Sequence, residues 1–339
     1  MAEDVIMGAF LGLPQDDGEV DVAVLPLAYE LTTSYGTGAE SGPDACVAAS
    51  AQVELFDPIL GDDLPAGLVL HTAPTWEGTA ATLLGQLDEM VDHAVPYYNG
   101  RVFPLFLGGE HGILPPLMCA AASHPLVDGD LSNLTVVQLD AHADLRSSLD
   151  NEVFSHACAA SRALDVGVGR LYQAGIRAYS LEEAERINND PRITTFFAKD
   201  TQHPHRGAVH WDAWLDALRS LKGAVHLTVD IDGLDGALVP ATGTPVPGGL
   251  SYWQAVETIE TLFANPDAIV ISADVNEIVA QAGTPLTQFT AACLATKIVA
   301  CHALARREGR WVLSEKKTTN RPLSSYFSSF DGHEYSASS

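Results

Sequence analysis

Basic residues are scarce in this chain. Lysine and arginine number 18 against 44 aspartates and glutamates, a formal charge of -26 over 339 residues. Phosphate backbones would be repelled by such a surface, which argues against nucleic acid as a partner. The same charge suits a cationic small molecule steered into an acidic cleft, and it equally suits a surface adapted for solubility or salt. Cysteine is sparse too. Cys46, Cys119, Cys158, Cys293 and Cys301 are scattered without CxxC spacing, which predicts reduced, partly buried thiols in a cytoplasmic protein. No run reaches the roughly 18 apolar residues that a membrane helix needs. Met1-Ala2-Glu3-Asp4 lacks the basic start of a signal peptide. The expectation is therefore no membrane and no export.

What is present is apolar material for a large core, 47% of the chain. It is broken into short runs. Strands are predicted over 21–25, 67–70, 102–107, 134–139, 171–175, 193–197, 225–229 and 268–272. Between them lie helical patterns. Pro43 opens one. Leu83, Leu84, Leu87, Met90, Val91 and Ala94 form an apolar stripe. Pro115-Pro116 sits early in another, and a short helix carries Arg162. Ser180 and Glu183 have capping-box spacing. Two more helices are predicted over 211–221 and 288–306. About eight alternations predict one α/β domain over 1–313: three layers, α/β/α, around a mostly parallel sheet of about eight strands. Residues 314–339 read as a polar, serine-rich tail, disordered or packed on a neighbouring subunit.

The chain declares its chemistry where apolar runs end. One run leads into Leu139-Asp140-Ala141-His142-Ala143-Asp144. If the backbone stays extended, Asp140, His142 and Asp144 point the same way, because side chains alternate with period two. A second run ends in Asp230-Ile231-Asp232, and a third ends in a glycine turn that presents His111. A single Asp-x-Asp is commonly a turn or a helix cap. Three clusters, each at the carboxyl end of a predicted strand, form a metal site. Four aspartates and two histidines exceed the needs of one four-coordinate zinc and suffice for two bridged ions. The oxygen-rich set favours a hard or borderline ion such as Mn²⁺, and Ni²⁺ also suits these ligands.

The motifs Gly108-Gly109-Glu110-His111, Asp140 to Asp144, Ser155-His156-Ala157 and the segment 230–251 together resemble the ureohydrolase family of arginases and agmatinases. The resemblance runs from near Pro26 to near Lys297. It implies the three-layer fold and makes His111, Asp140, His142, Asp144, Asp230 and Asp232 ligands of two divalent ions. It implies proton transfer by Asp144, a proton shuttle at His156 and guanidinium binding by Glu277. The N-terminal loop 29–42 would lie by the site's mouth, and the loop 239–245 would form a rigid wall. It also implies a homo-oligomer, trimer or hexamer. Glu110, Gly112, Ala157 and Gly236 depart from common family residues, and none removes a catalytic group.

The expected reaction is hydrolysis of a small cationic guanidine compound to urea and an amine. Within the family, Asp144-Leu145-Arg146 with Phe154-Ser155-His156-Ala157 looks like the agmatinase-like branch. Asp150 and Glu152 are candidates for holding a distal ammonium, which favours agmatine, giving putrescine and urea. Arg146 pointing inward would instead favour a carboxylate, as in guanidinobutyrate. Other expectations that stand beside agmatine are guanidinopropionate, arginine, guanidine or an alkylated guanidine, and a non-catalytic subunit of a hetero-oligomer. An amidohydrolase of deacetylase type would typically keep one zinc, and the pair Asp230/Asp232 with Glu277 suits guanidinium better.

Overall fold

The computed structural model describes residues 8–15, 18–281, 283–311 and 321–327. Its strands are β1 (Val22–Leu27), β2 (Phe56–Asp57), β3 (Asp62–Asp63), β4 (Leu70–Thr72), β5 (Phe103–Gly108), β6 (Leu134–Leu139), β7 (Arg170–Ile176), β8 (Ile193–Phe197), β9 (Gly223–Asp230) and β10 (Ala268–Asn276). β2 and β3 form a small antiparallel hairpin. The other eight make one sheet in the order β4-β1-β5-β10-β9-β6-β7-β8. Every neighbouring pair in it is parallel.

Parallel strands need crossover connections, and these cover both faces. The helices are α1 (Gly42–Ser50), α2 (Leu83–Ala94), α3 (Leu114–Ala121), α4 (Ala159–Asp165), α5 (Leu181–Asn189), α6 (Ala198–Thr201), α7 (Gly207–Arg219), α8 (Tyr252–Ala264) and α9 (Leu286–Arg307). One core lies between the sheet and α1, α7, α8 and α9. The other lies between the sheet and α2, α3 and α4. All residues of β1, β5 and β6 are buried, which is why these strands read as continuous apolar runs. Burying each Leu or Phe there stabilises the fold by about 1.5–3 kcal/mol. α9 is long and apolar enough to cross a membrane, but most of it is buried inside the protein.

The helix starts follow local chemistry. Thr82 accepts the N–H of Gly85 at the start of α2, and both Ser180 with Glu183 and Ser251 with Gln254 form complete capping boxes. The second box belongs to α8, which sequence periodicity did not bring out. β4 begins where a strand over 67–70 was expected to end, and α7 begins at Gly207 rather than at 211. β10 runs on through Ser272, Asp274 and Asn276, all fully buried. Their polarity hides the strand in the sequence, while hydrogen bonds inside the sheet keep it.

Part of the expected tail packs on this chain itself. Leu323 is fully buried, and the N–H of Ser324 donates to Asp88 Oδ1 at 3.0 Å. Phe327 meets Phe154 edge-on, with ring centroids 5.1 Å apart. Residues 312–320 and 328–339, which hold the rest of that tail, lie outside the described residues.

Candidate metal centre and active site

The four central strands β5, β10, β9 and β6 deliver the site at their carboxyl ends. β5 ends in Gly108-Gly109, where a Cβ on Gly109 would run into the carbonyl of Tyr29. That close approach requires glycine and turns His111 over the strand ends. β9 and β10 end side by side, with Asp230 paired to Asn276.

His111, Asp140, Asp144, Asp230 and Asp232 are all at most 5% exposed. The Nδ1 atom of His111 lies 3.0 Å from Asp144 Oδ2, 3.1 Å from Asp140 Oδ2 and 3.6 Å from Asp230 Oδ2. It nevertheless has no well-aligned hydrogen bond among the described residues. Nδ1 of His142 lies 3.1 Å from Asp232 Oδ2 and 3.6 Å from Asp140 Oδ1. Two cation positions follow. His111, Asp140 and Asp144 surround one, with Asp230 beside them, and Asp140, His142 and Asp232 surround the other. Asp140 offers one oxygen to each. The donors are imidazole nitrogens and carboxylate oxygens, which suit divalent ions. An orphaned buried nitrogen facing three carboxylates fits a cation between them.

Without cations, burial and mutual repulsion must be met by protons. Burial opposes charge on His142, but Asp232 and Asp140 outweigh it and push the imidazole up to about 11. Burial and then the Asp140 charge push Asp144 up to about 6. Burial raises Asp230 well above the usual carboxylate range, and Asp232 adds to it. Two divalent ions would replace that held positive charge.

The convergence does not come from an extended chain. β6 stops at Leu139, and Asp144 has φ 53°. This left-handed turn costs about 1–3 kcal/mol for a non-glycine residue. It points Asp144 at His111, while His142 faces Asp232. Glu277 is also left-handed, with φ 62°. Its Oε1 accepts the backbone N–H of His111 at 2.8 Å and lies 3.3 Å from His156 Nδ1. Burial disfavours charge on His156, yet Glu277 and Glu110 outweigh it and raise the ring to about 9. Nε2 of His156 lies 3.3 Å from the Ser34 hydroxyl.

A cavity of about 370 Å³ opens beside these groups. His142, Asp144, Asp230 and His156 line its inner end; Arg146, Tyr179 and Glu183 line the rest, together with Ser34 and Thr244. Glu277 adjoins the wall residue His156, its Oε1 3.3 Å from Nδ1. Arg146 lies on the wall, its Nε 3.7 Å from Glu183. Asp150 and Glu152 are not brought to the wall. Asp150 is exposed on a turn with Asn151, both at positive φ, and Glu152 accepts the N–H of Phe154 at 2.8 Å.

Several supporting groups escaped the sequence reading. Glu110, fully buried, accepts the N–H of Leu31 and both the N–H and hydroxyl of Thr32; Thr32 Oγ1 in turn accepts the N–H of His156 at 2.8 Å. Arg177 donates to the carbonyls of Asp232, Gly233, Leu234 and Val246, fixing the loop that carries Asp232. Thr244, in the expected wall loop, donates to Asp232 Oδ2 at 3.2 Å. Tyr179 and Glu183 follow β7, where the only sequence signal was the capping box.

A parallel α/β sheet with two carboxylate-bridged cation positions at its strand ends is the architecture of a dinuclear metal hydrolase. The chain belongs to the arginase family, whose model matches residues 20–301. It is 33% identical over 303 residues to N(1)-aminopropylagmatine ureohydrolase of Synechocystis sp., covering 87% of this chain and 90% of that protein. It is also 33% identical over 255 residues to agmatinase of Pyrococcus horikoshii, covering 73% of this chain and 80% of the relative. Among solved structures, a hypothetical agmatinase from Burkholderia thailandensis superimposes with a TM-score of 0.75 at 28% identity, covering 88% of this chain and 92% of that one.

Proposed function

We propose that this protein hydrolyses agmatine to putrescine and urea, using two Mn²⁺ ions held by His111, Asp140, His142, Asp144, Asp230 and Asp232. The observation that carries the reading is His111 Nδ1, buried without a hydrogen bond among three carboxylates, with the carboxylate of Glu277 bonded to the same residue's backbone. When bound, two divalent ions would lower the pKa of a water and offset the charge that develops in the transition state. Glu277 accepts guanidinium N–H groups and aligns the carbon for attack. Asp144 accepts the proton that the water gives up. His156, held by Glu277 and Thr32, passes a proton to the leaving amine. The products are then urea and a protonated amine. The names of the relatives support an amine-bearing guanidine. Ni²⁺ would suit the same donors.

The same reading carries a cytoplasmic homo-oligomer, trimer or hexamer. The free state of all five cysteines supports a reducing compartment. A second reading has an observation of its own. Arg146 lies on the cavity wall with only a loose ion pair, which suits a guanidino acid such as guanidinobutyrate. One panel decides: urea release from agmatine, N1-aminopropylagmatine, arginine, guanidinobutyrate, guanidinopropionate and free guanidine, compared by kcat/KM. Agmatine should lead by at least about tenfold, or about 1.4 kcal/mol. A lead for guanidinobutyrate would replace agmatine with the guanidino acid and leave the hydrolase intact. Absence of urea from every substrate, with metal bound, would favour a non-catalytic subunit.

A further inference from the structure

Directly beneath the ligand layer, one row across the sheet is polar. Thr195 on β8 pairs with Gln173 on β7, Gln173 with Gln138 on β6, Gln138 with Thr228 on β9, and Thr228 with Asp274 on β10. Gln138, Gln173, Thr228 and Asp274 are fully buried. Amides and carboxylates at the centre of a parallel sheet are costly to bury unless hydrogen-bonded. Here they are, and the bonds have a direction.

The direction is fixed from several points. A carboxylate only accepts, so Gln138 turns its amide nitrogen to Asp140 Oδ2, at 2.7 Å. Its oxygen then faces Gln173, whose nitrogen donates to it at 2.9 Å. That nitrogen also donates to the carbonyl of Ala143 at 2.8 Å, which independently sets the same orientation. The Gln173 oxygen is left for the Thr195 hydroxyl, which donates at 2.9 Å. Each N–H or O–H in the chain points toward the metal site. Asp140 Oδ1 is meanwhile held by the N–H of His142 at 2.6 Å. Each oxygen of Asp140 thus keeps one protein donor and has lone-pair capacity left for one cation.

We infer that Gln138 and Gln173 are positioning residues for the dinuclear centre. Gln138 aims Asp140 Oδ2 at the cation position beside His111. Gln173 fixes the amide of Gln138 and, through Ala143, the short segment between His142 and Asp144. The inference rests on the two-metal reading and adds residues outside its ligand set. Partners that orient ligands typically change metal affinity by about 10–100-fold when removed.

The experiment titrates metal-free protein with Mn²⁺ by calorimetry in the parent, Gln138→Met and Gln173→Met, and measures the Tm of each metal-free form. Gln138→Met should weaken one of the two Mn²⁺ affinities by about 10–100-fold. Gln173→Met should weaken the same one by less. Metal-free Tm should stay within a few degrees of the parent, and kcat should largely return at saturating Mn²⁺. Thr195→Val, at the far end of the chain, should have the smallest effect and provides a variant if the glutamine variants fold poorly. Unchanged Mn²⁺ affinities in all three variants overturn the inference and leave the hydrolase intact. So does a loss of affinity that merely parallels a fall in metal-free Tm. A parent protein that binds no Mn²⁺ overturns both.

Discussion

Glu277 Oε1 accepts the backbone N–H of His111 at 2.8 Å. The carboxylate proposed to receive the guanidinium is thereby tied to a residue of the candidate metal cluster. On the proposed roles, substrate carbon and metal centre would share one frame, and a shift of either would move both.

Glu277→Gln keeps the shape of that tie and removes the charge. Two charge-assisted hydrogen bonds at roughly 1.5–3 kcal/mol each predict a fall in kcat/KM of about 10²–10⁴. Metal content should not change. Steady-state kinetics paired with metal analysis checks this, and a variant within threefold of the parent would remove Glu277 from substrate binding.

Asp140 serves both cation positions and His142 serves one. The parent should carry close to two divalent ions per chain, His142→Ala close to one, and Asp140→Ala close to none. Elemental analysis after gel filtration measures all three. Equal stoichiometry in the two variants would contradict a bridging carboxylate.

Acid stability should depend on His302. It is fully buried, stacked on Phe103 at 4.3 Å and edge-on to Trp311 at 4.7 Å, with no hydrogen-bond partner for either ring nitrogen among the described residues. Burial, and then Arg306, hold its pKa well below the usual imidazole value. The unfolded chain takes up a proton near pH 6.5 that the folded chain refuses. Stability is therefore present above that pH and lost below it, by at most about 1.4 kcal/mol per pH unit. His302→Phe should flatten the fall in Tm between pH 7 and pH 5. Parallel curves for parent and variant would refute this.

Lys297 is 7% exposed and reaches Asp57 at 2.8 Å and Glu260 at 2.5 Å. Lys297→Met leaves two carboxylates facing each other without their cation. Breaking a fully buried pair costs about 3–5 kcal/mol; Glu260 is partly exposed, so about 1–3 kcal/mol is expected. Urea unfolding measures it. The additional variant Asp57→Asn in the same chain should recover part of the loss.

Much of the site was legible because its residues break a pattern. Asp140, Asp230 and His111 are polar groups placed where apolar runs end, and a strand end has few other uses for paired acids. The row below them was hidden by the same logic. Gln138, Gln173 and Asp274 lie within strands, and a single polar residue inside an apolar run does not reveal that its neighbours across the sheet are polar too. Register joins them, and register is not written in any one strand. Asp144 meets His111 through a left-handed turn rather than along an extended strand, and nothing in Ala143-Asp144-Leu145 announces that turn. Asp150 and Glu152 stand out in the sequence by charge alone, and neither lies on the cavity wall. Two of the wall residues, Tyr179 and Glu183, come from the turn before α5 and from its first turn, where the only signal is a helix cap.

The packing of Phe327 on Phe154 has a further consequence. Phe154 immediately precedes Ser155 and His156, so a segment more than 160 positions later in the sequence packs against the loop that carries His156. A chain cut short before residue 321 would lack this contact and keep the six proposed metal ligands and Glu277. Molecules clipped there would keep their full metal complement and differ from intact ones only in turnover, so mass spectrometry of a preparation, not its metal assay, would reveal why two batches disagree.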